Sequence, residues 1–237
     1  MWAARLVRLI LTAHGSADPR SAANAREIAR IAALLRPGIE VSCAFCEQNS
    51  PNLVEVLDDS PAVVVPLLLS DAYHARVDIP GLIARAGVQV QQAPVLGEDD
   101  RLIGVLAQRL THAGISRLDG RVGVVVTAVG SSRPEANART ATVAPALAAG
   151  TRWRATTAFA TGPQPSLADA AARLRAAGAT RLVIAPWFLA HGRVTDRVAA
   201  FAAGNDITMC APLGSHRLVA ETVLDRYDEV AGARAAA

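Results

Sequence analysis

The sequence contains no lysine: all 24 of its basic residues are arginine. Aromatic residues make up only 4% of it, and cysteines number three. Each scarcity removes a class of explanation. Arginines spread along the chain, with no basic stripe and few rings among them, do not build a nucleic-acid platform, where bases stack above a positive groove. An odd, small number of cysteines does not make a disulfide framework and suits a reducing compartment, so a cytoplasmic location is expected. No apolar run approaches the ~20 residues of a membrane span, because Arg, Asp, Gly or Pro interrupts each one. No membrane partner is therefore expected. The opening MWAARLVRLILTAHGS has two arginines and a short apolar stretch, as a signal peptide does. It runs directly into a turn and a helix pattern without a cleavage region, so it reads as a first strand.

What is present is ample for a core. The chain has 237 residues, 51% of them hydrophobic and 19% charged, with a net charge of +3. That is enough for one large domain or two small ones. An acidic small molecule remains a fitting ligand, since a few arginines can grip carboxylates through two-pronged contacts.

Comparing the chain with itself decides between one domain and two. TAHGS at 12–16 answers TAVGS at 127–131, and CAFCEQNSP at 43–51 answers TAFATGPQP at 157–165. VVVPLLLS at 63–70 answers LVIAPWFLA at 182–190, and PVLGEDDRL at 94–102 answers APLGSHRL at 211–218. The matches keep their order, with offsets of 115, 114 and 120 residues for the first three, which implies an internal duplication. Strands are expected at 6–13, 40–46, 62–69, 88–95, 121–129, 154–160, 181–190 and 206–211. Helical patterns lie between them, as in PRSAANAREIARIAALL, where Ile28, Ile31, Ala32 and Leu35 share a face. Pro19 and Pro134 suit first helical turns, and Gly114 and Gly178 suit helix ends. The strands read as nearly continuous apolar runs, as strands buried on both faces do, which predicts parallel sheets covered by helices. The expected architecture is α/β: two similar domains, 1–118 and 119–237, each with a four-stranded, mainly parallel sheet.

In such sheets the crevice lies at the carboxyl ends of the strands. His14 follows the first strand, Glu47 the second and His74 the third. Two imidazoles and a carboxylate suit Fe²⁺, Co²⁺, Ni²⁺ or Zn²⁺ and are too rich in nitrogen for Mg²⁺ or Ca²⁺. Taken singly, each residue has an ordinary explanation. A histidine after a strand often serves only to bond its loop, and Glu47 can cap a helix starting near Pro51. Gly15 and Ser16 can be turn residues, although N–H groups at the following helix start also suit an anion. Elsewhere the ordinary reading is preferred. Cys43 and Cys46 point to opposite faces of a strand, and Cys210 belongs to the core. His112 sits at a helix end, and His216 sits in a first turn capped by Ser215. Asp78 and Asp196 read as N-caps. His191 follows the strand at 181–190 and is the least easily set aside.

The ordered set of motifs resembles the class II chelatases of tetrapyrrole synthesis, and most closely the two-domain sirohydrochlorin chelatases of the SirB/CbiX type. It comprises the strand–HGS turn, the strand–E-x-x-x-P segment, the Pro-LLL strand followed by H-x-x-x-DIP, the P-x-LG turn and the duplication itself. The resemblance implies two flavodoxin-like domains, with sirohydrochlorin as the partner and a divalent metal, Fe²⁺ or alternatively Co²⁺ or Ni²⁺, as co-substrate. No nucleotide cofactor is expected, and the chain is expected to be a monomer or small homo-oligomer. It further implies that His14 and His74 bind the metal and accept protons and that Glu47 assists. Ser16, Arg20, Arg76, Arg133 and Arg193 are candidates for holding the substrate's carboxylates. A non-catalytic carrier of tetrapyrrole or metal is the alternative of another class. A hydrolase or phosphotransfer enzyme using His14 lacks the rest of a triad and a P-loop.

Overall fold

A computed structural model of the chain describes residues 7–235, the side chains of 233–235 excepted. Leu6, expected to open the first strand, lies outside the described residues. Two four-stranded parallel sheets are present. The first contains β1 (Arg8–Ala13), β2 (Val41–Phe45), β3 (Ala62–Pro66) and β4 (Gln91–Gln92), in the spatial order β2-β1-β3-β4. The second contains β5 (Val122–Ala128), β6 (Arg154–Phe159), β7 (Arg181–Pro186) and β8 (Thr208–Met209), in the order β6-β5-β7-β8. All eight strands expected from the sequence are found, in the expected order. The edge strands β4 and β8 pair over only two residues each.

The central strands are buried from both sides. Every residue of β3 and of β5 is buried. In the first sheet, Ile10, Ala44 and Val64 meet Leu53 and Leu57, from α2 (Leu53–Val56) and its end, with Ile79 and Leu82 of α3 (Ile79–Ala86). The opposite face is covered by α1 (Pro19–Leu35) and α9 (Arg217–Ala235). In the second sheet, Val125, Ala158 and Ile184 pack against α7 (Leu167–Ala176) and α8 (Arg193–Gly204). The other face meets α4 (Asp100–His112) and α6 (Val143–Ala148), the latter preceded by α5 (Pro134–Ala141). Pro19 and Pro134 open α1 and α5, while Gly114 and Gly178 follow the ends of α4 and α7, as the sequence predicts.

The compact units and the sequence repeat divide the chain differently. One unit is 1–97 with 215–237, the other 98–214. Thus α4, which continues the first repeat, packs in the second unit, and α9, which ends the second repeat, packs in the first. Each exchanged helix carries an arginine that reaches a proline-containing LG turn of the other repeat, PVLG at 94–97 or APLG at 211–214. Arg226 on α9 donates to the carbonyls of Val95 and Leu96 at 3.1 and 3.0 Å. Arg109 on α4 donates to those of Pro212 and Leu213 at 3.1 and 2.7 Å. Tyr227 adds an O–H bond to the Val7 carbonyl, and Arg36 pairs with Asp228 through two contacts. The helix that ends the second repeat is thereby fastened to the first unit. No described helix is long and apolar enough to cross a membrane.

Because charge-assisted bonds to carbonyls contribute about 1.5–3 kcal/mol, Arg226→Ala should destabilise the first unit by an amount of that order. Hydrogen exchange should speed up in amides of residues 8–96 and stay unchanged in residues 122–209, although residue 226 belongs to the second repeat.

Candidate metal site at the carboxyl edge of the first sheet

The β1–β2 pairing does not stop where the strands end. Cys46 donates its N–H to the Ala13 carbonyl at 2.9 Å, and Glu47 donates to the His14 carbonyl at 3.0 Å. The two loops therefore leave the sheet side by side, carrying His14 and Glu47 with them. Gly15 then turns with φ +100°, so close to the neighbouring loop that a Cβ would lie 1.8 Å from the Glu47 carbonyl oxygen. Conformation and space both require glycine there. Ser16 locks the turn: its N–H donates to Asn49 Oδ1 at 2.8 Å, and its hydroxyl accepts from the Asp18 N–H at 3.0 Å. That N–H is thus occupied, and the turn-residue reading of Ser16 accounts for its contacts.

His74 arrives from the third strand. It opens a π-helical turn, His74–Asp78, that passes directly into α3. Pro80 has no N–H for the Arg76 carbonyl, and its ring crowds that carbonyl; the wider turn accommodates both. Along this turn His74 and Asp78 come into line, and His74 Nδ1 bonds Asp78 Oδ2 at 2.5 Å. Asp78 is therefore not the N-cap expected from the sequence, since the helical path begins before it and its side chain makes no capping bond. It is a site residue that the sequence reading missed. The signal was available: in HARVD, a histidine and an aspartate four apart share a helical face.

The strand order β2-β1-β3 makes the three loop ends neighbours. The His14 and His74 rings lie 4.0 Å apart between centroids, at 63°. His14 Nε2 stands 3.6 Å from Glu47 Oε1. That is longer than a hydrogen bond, and it suits two ligands each about 2.1 Å from one shared ion. His14, His74 and Asp78 offer ligand atoms all within 4.8 Å of one another. The tautomers follow from the partners. His14 Nδ1 faces the Gly15 carbonyl at 3.0 Å, and His74 Nδ1 faces a carboxylate, both of them acceptors. In a neutral imidazole such acceptors select the Nδ1–H tautomer, which turns the Nε2 lone pair away from them. Glu47 is exposed and accepts from Gln48 at 2.8 Å; the helix beginning at Leu53 is capped by Asn52 and Glu55. The capping explanation of Glu47 does not hold.

Beside this group opens a pocket of about 400 Å³, lined by His14, Cys46, Glu47, Asp78 and residues of α3 as far as Arg85. Burial raises the Cys46 thiol to about 11, with the Asp78 and Glu47 carboxylates acting in the same direction, so it stays protonated near neutrality. Burial likewise raises Cys43 and Cys210 to about 11. Cys46 packs on the core face with Ala44, while Cys43 lies near Arg26 on the other side, as their spacing predicts.

The expected arginines separate. Arg20 is paired with Asp18 and Arg76 with Asp71, both at 2.6 Å. Arg133 and Arg193 stand at the starts of α5 and α8 in the second unit. His191 is exposed in the loop after β7, and His112 ends α4. His216 is itself the cap of α9, accepting from the Leu218 N–H at 3.1 Å, in place of Ser215. Asp196 lies inside α8, whose cap is Gly192, so it too is not an N-cap.

The CbiX family model matches the chain twice, over residues 8–113 and 123–230. The chain belongs to the CbiX family. Its two matches coincide with the sequence repeats, and the site described above lies wholly within the first CbiX repeat. A sirohydrochlorin cobaltochelatase of Priestia megaterium is 27% identical over 205 residues, covering 80% of this chain and 66% of that relative. The chain thus spans a little under two thirds of that protein's length. Among solved structures, SirB from Bacillus subtilis with Fe³⁺ matches with a TM-score of 0.75 at 20% identity, over 94% of this chain and 95% of that one. The sirohydrochlorin chelatase SirB from Bacillus subtilis subspecies spizizenii in complex with cobalt matches with a TM-score of 0.72 at 19% identity, over 94% of each chain. These two likenesses are of fold.

Gly15→Ala should abolish Co²⁺ binding, read from the visible spectrum of the bound ion, because the added Cβ drives the two loops apart. Alkylation gives a separate check. With thiols near pH 11, iodoacetamide at neutral pH should modify this CbiX-family chain about a hundredfold more slowly than a free cysteine, and the rate should climb with pH.

Proposed function

We propose that the chain is a sirohydrochlorin chelatase that inserts a divalent metal, Fe²⁺ in the first instance, into the reduced tetrapyrrole. The observation that carries this reading is the pair of imidazoles whose rings lie 4.0 Å apart, each beside its own carboxylate. Insertion makes two demands. The ion must be held loosely enough to be handed over, and two pyrrole N–H protons must leave the macrocycle. A set of few, partly exposed donors serves the first demand, because it leaves coordination positions open to the four ring nitrogens.

The same residues serve the second. As the ring nitrogens take the metal, each released Nε2 is a base of suitable strength and can receive one of the two protons. Asp78, on the far nitrogen of His74, orients that ring, and Glu47 stands beside His14. The metal changes partners, two protons pass to two imidazoles, and both go on to water. The reduced thiols are compatible with a cytoplasmic setting, which is part of this proposal.

A second reading has its own support. The curated relative is named a cobaltochelatase, and the donor set takes Co²⁺ as readily as Fe²⁺. On that reading the product is cobalt-sirohydrochlorin, a precursor of cobalamin, in place of sirohaem.

Mixing the protein with sirohydrochlorin and Fe²⁺, Co²⁺ or Ni²⁺, each against a control without protein, tests both readings by the change in absorption. The expected result is acceleration, fastest with the physiological metal. A rate equal to the control with every metal would leave only a carrier. His14→Ala and His74→Ala should each lower the rate by at least a hundredfold without changing the circular dichroism; near-normal rates would remove the assigned roles.

A further inference from the structure

One wall of the site pocket has features that the metal chemistry does not use. Along α3, Asp78, Gly81, Leu82 and Arg85 fall on one face at the i, i+3, i+4, i+7 spacing, and all four line the pocket. Asp78 marks the metal end of this stripe. Arg85 marks the other end, roughly 10 Å further along the axis at the helical rise per residue. That span matches the distance from the centre of a tetrapyrrole to the end of a carboxylate arm. Arg85 is exposed, and its side chain has no hydrogen bond or ion pair with another described residue, unlike Arg20 and Arg76. An unpaired guanidinium lining a pocket opposite a metal group is placed for an anion.

The middle of the stripe is open. Gly81 lies within a helix, where glycine is less stable than alanine, yet a Cβ there would meet no atom within 4 Å. Packing inside the protein therefore gives no reason for its absence. Leu82 supplies a buried apolar surface beside it, and Val77, which is 44% exposed, leaves an apolar side chain in the pocket.

We infer that α3 is the docking wall for the anionic tetrapyrrole: Arg85 grips one peripheral carboxylate in a two-pronged contact, and Gly81 leaves clearance for the ring edge between that anchor and the metal group. This rests on the chelatase reading and adds the residues that hold the substrate on the first unit. Arg85 takes the role expected of Arg20 and Arg76, whose guanidinium groups are engaged by neighbouring aspartates.

The test titrates metal-free sirohydrochlorin, by fluorescence, into the wild-type chain and into Arg85→Gln, Arg85→Lys, Gly81→Ala and Gly81→Leu, with Arg30→Gln as a charge-matched control. Co²⁺ binding is measured alongside. Arg85→Gln is expected to raise the Kd about tenfold with Co²⁺ binding unchanged, and to flatten the salt dependence; Arg85→Lys should recover only part of the loss. Gly81→Ala should melt no lower than wild type yet bind the tetrapyrrole more weakly, and Gly81→Leu more weakly still. Arg30→Gln should bind as wild type. If Arg85→Gln and both Gly81 variants bind sirohydrochlorin as wild type does, while wild type still inserts metal, the docking wall is overturned and the chelatase reading stands. A parallel loss of Co²⁺ binding in Arg85→Gln would overturn it as well, by making Arg85 structural. If wild type binds no tetrapyrrole, both fall together.

Discussion

The site depends on one close approach. Where the loops after β1 and β2 leave the first sheet, the backbone at Gly15 runs against the Glu47 carbonyl so tightly that no side chain fits between them. Two backbone hydrogen bonds hold the loops in that register, from Cys46 to Ala13 and from Glu47 to His14. Once the register is set, His14 and Glu47 have little freedom: they are neighbours across a ladder that continues past the strands. Only the third contributor needs its own device. The π-helical turn ahead of Pro80 supplies it by bringing His74 and Asp78 into line. A parallel sheet that can align three strand ends thus gathers two imidazoles and two carboxylates at one edge through one glycine and one proline, each placed by what it cannot do.

A second constraint secures the sheet itself. Duplicated α/β units would be expected to keep their own helices, but α4 and α9 have changed places between units. The two arginines that fasten them, Arg109 and Arg226, do the same work on the APLG and PVLG turns. Since α9 covers the face of the first sheet away from the site, the end of the chain supports the residues near its beginning. Substitutions in α9 can therefore act on His14 and His74 through the stability of the strands that carry them.

Much of this arrangement is legible in the residues. Apolar runs marked all eight strands, and the order of His14, Glu47 and His74 behind the first three marked the edge where the three side chains come together. What escaped the sequence had particular causes. Periodicity shows that a helix has an apolar face but does not say which sheet receives it, so the exchange of α4 and α9 was hidden. Asp78 was read as a cap because the helix was assumed to begin at Ile79–Pro80; a π turn has no sequence signature that displaces that assumption. Among the arginines, Asp18 and Asp71 stand two and five residues from Arg20 and Arg76, close enough for local pairing to be suspected. Arg85 drew no attention because nothing in LIARAG marks the pocket it lines.

The repeat separates what the turn needs from what the chemistry needs. TAVGS in the second half keeps its glycine with φ +97°, and a Cβ there would again fall too close to a carbonyl, 2.6 Å from that of Thr161. The ladder continues past the strands in the same way, from Ala160 to Ala128 and from Thr161 to Val129. Even the serine N–H is satisfied again, but its acceptor comes from a different element: Asn137 of α5 rather than a loop residue like Asn49. The frame is therefore a backbone requirement that side chains meet in more than one way. Val129 is 45% exposed at the place of His14, so the frame does not need the imidazole. With Asn137 holding the turn from the helix, the edge of the second sheet opens on a recess of about 700 Å³ lined by Ser131, Ser132, Thr161 and Gln164, with no charged side chain. A turn whose geometry does not depend on that side chain can carry an imidazole beside His74 and Glu47 in one copy and a valine beside an uncharged recess in the other, so the frame requires the glycine twice and the histidine in neither.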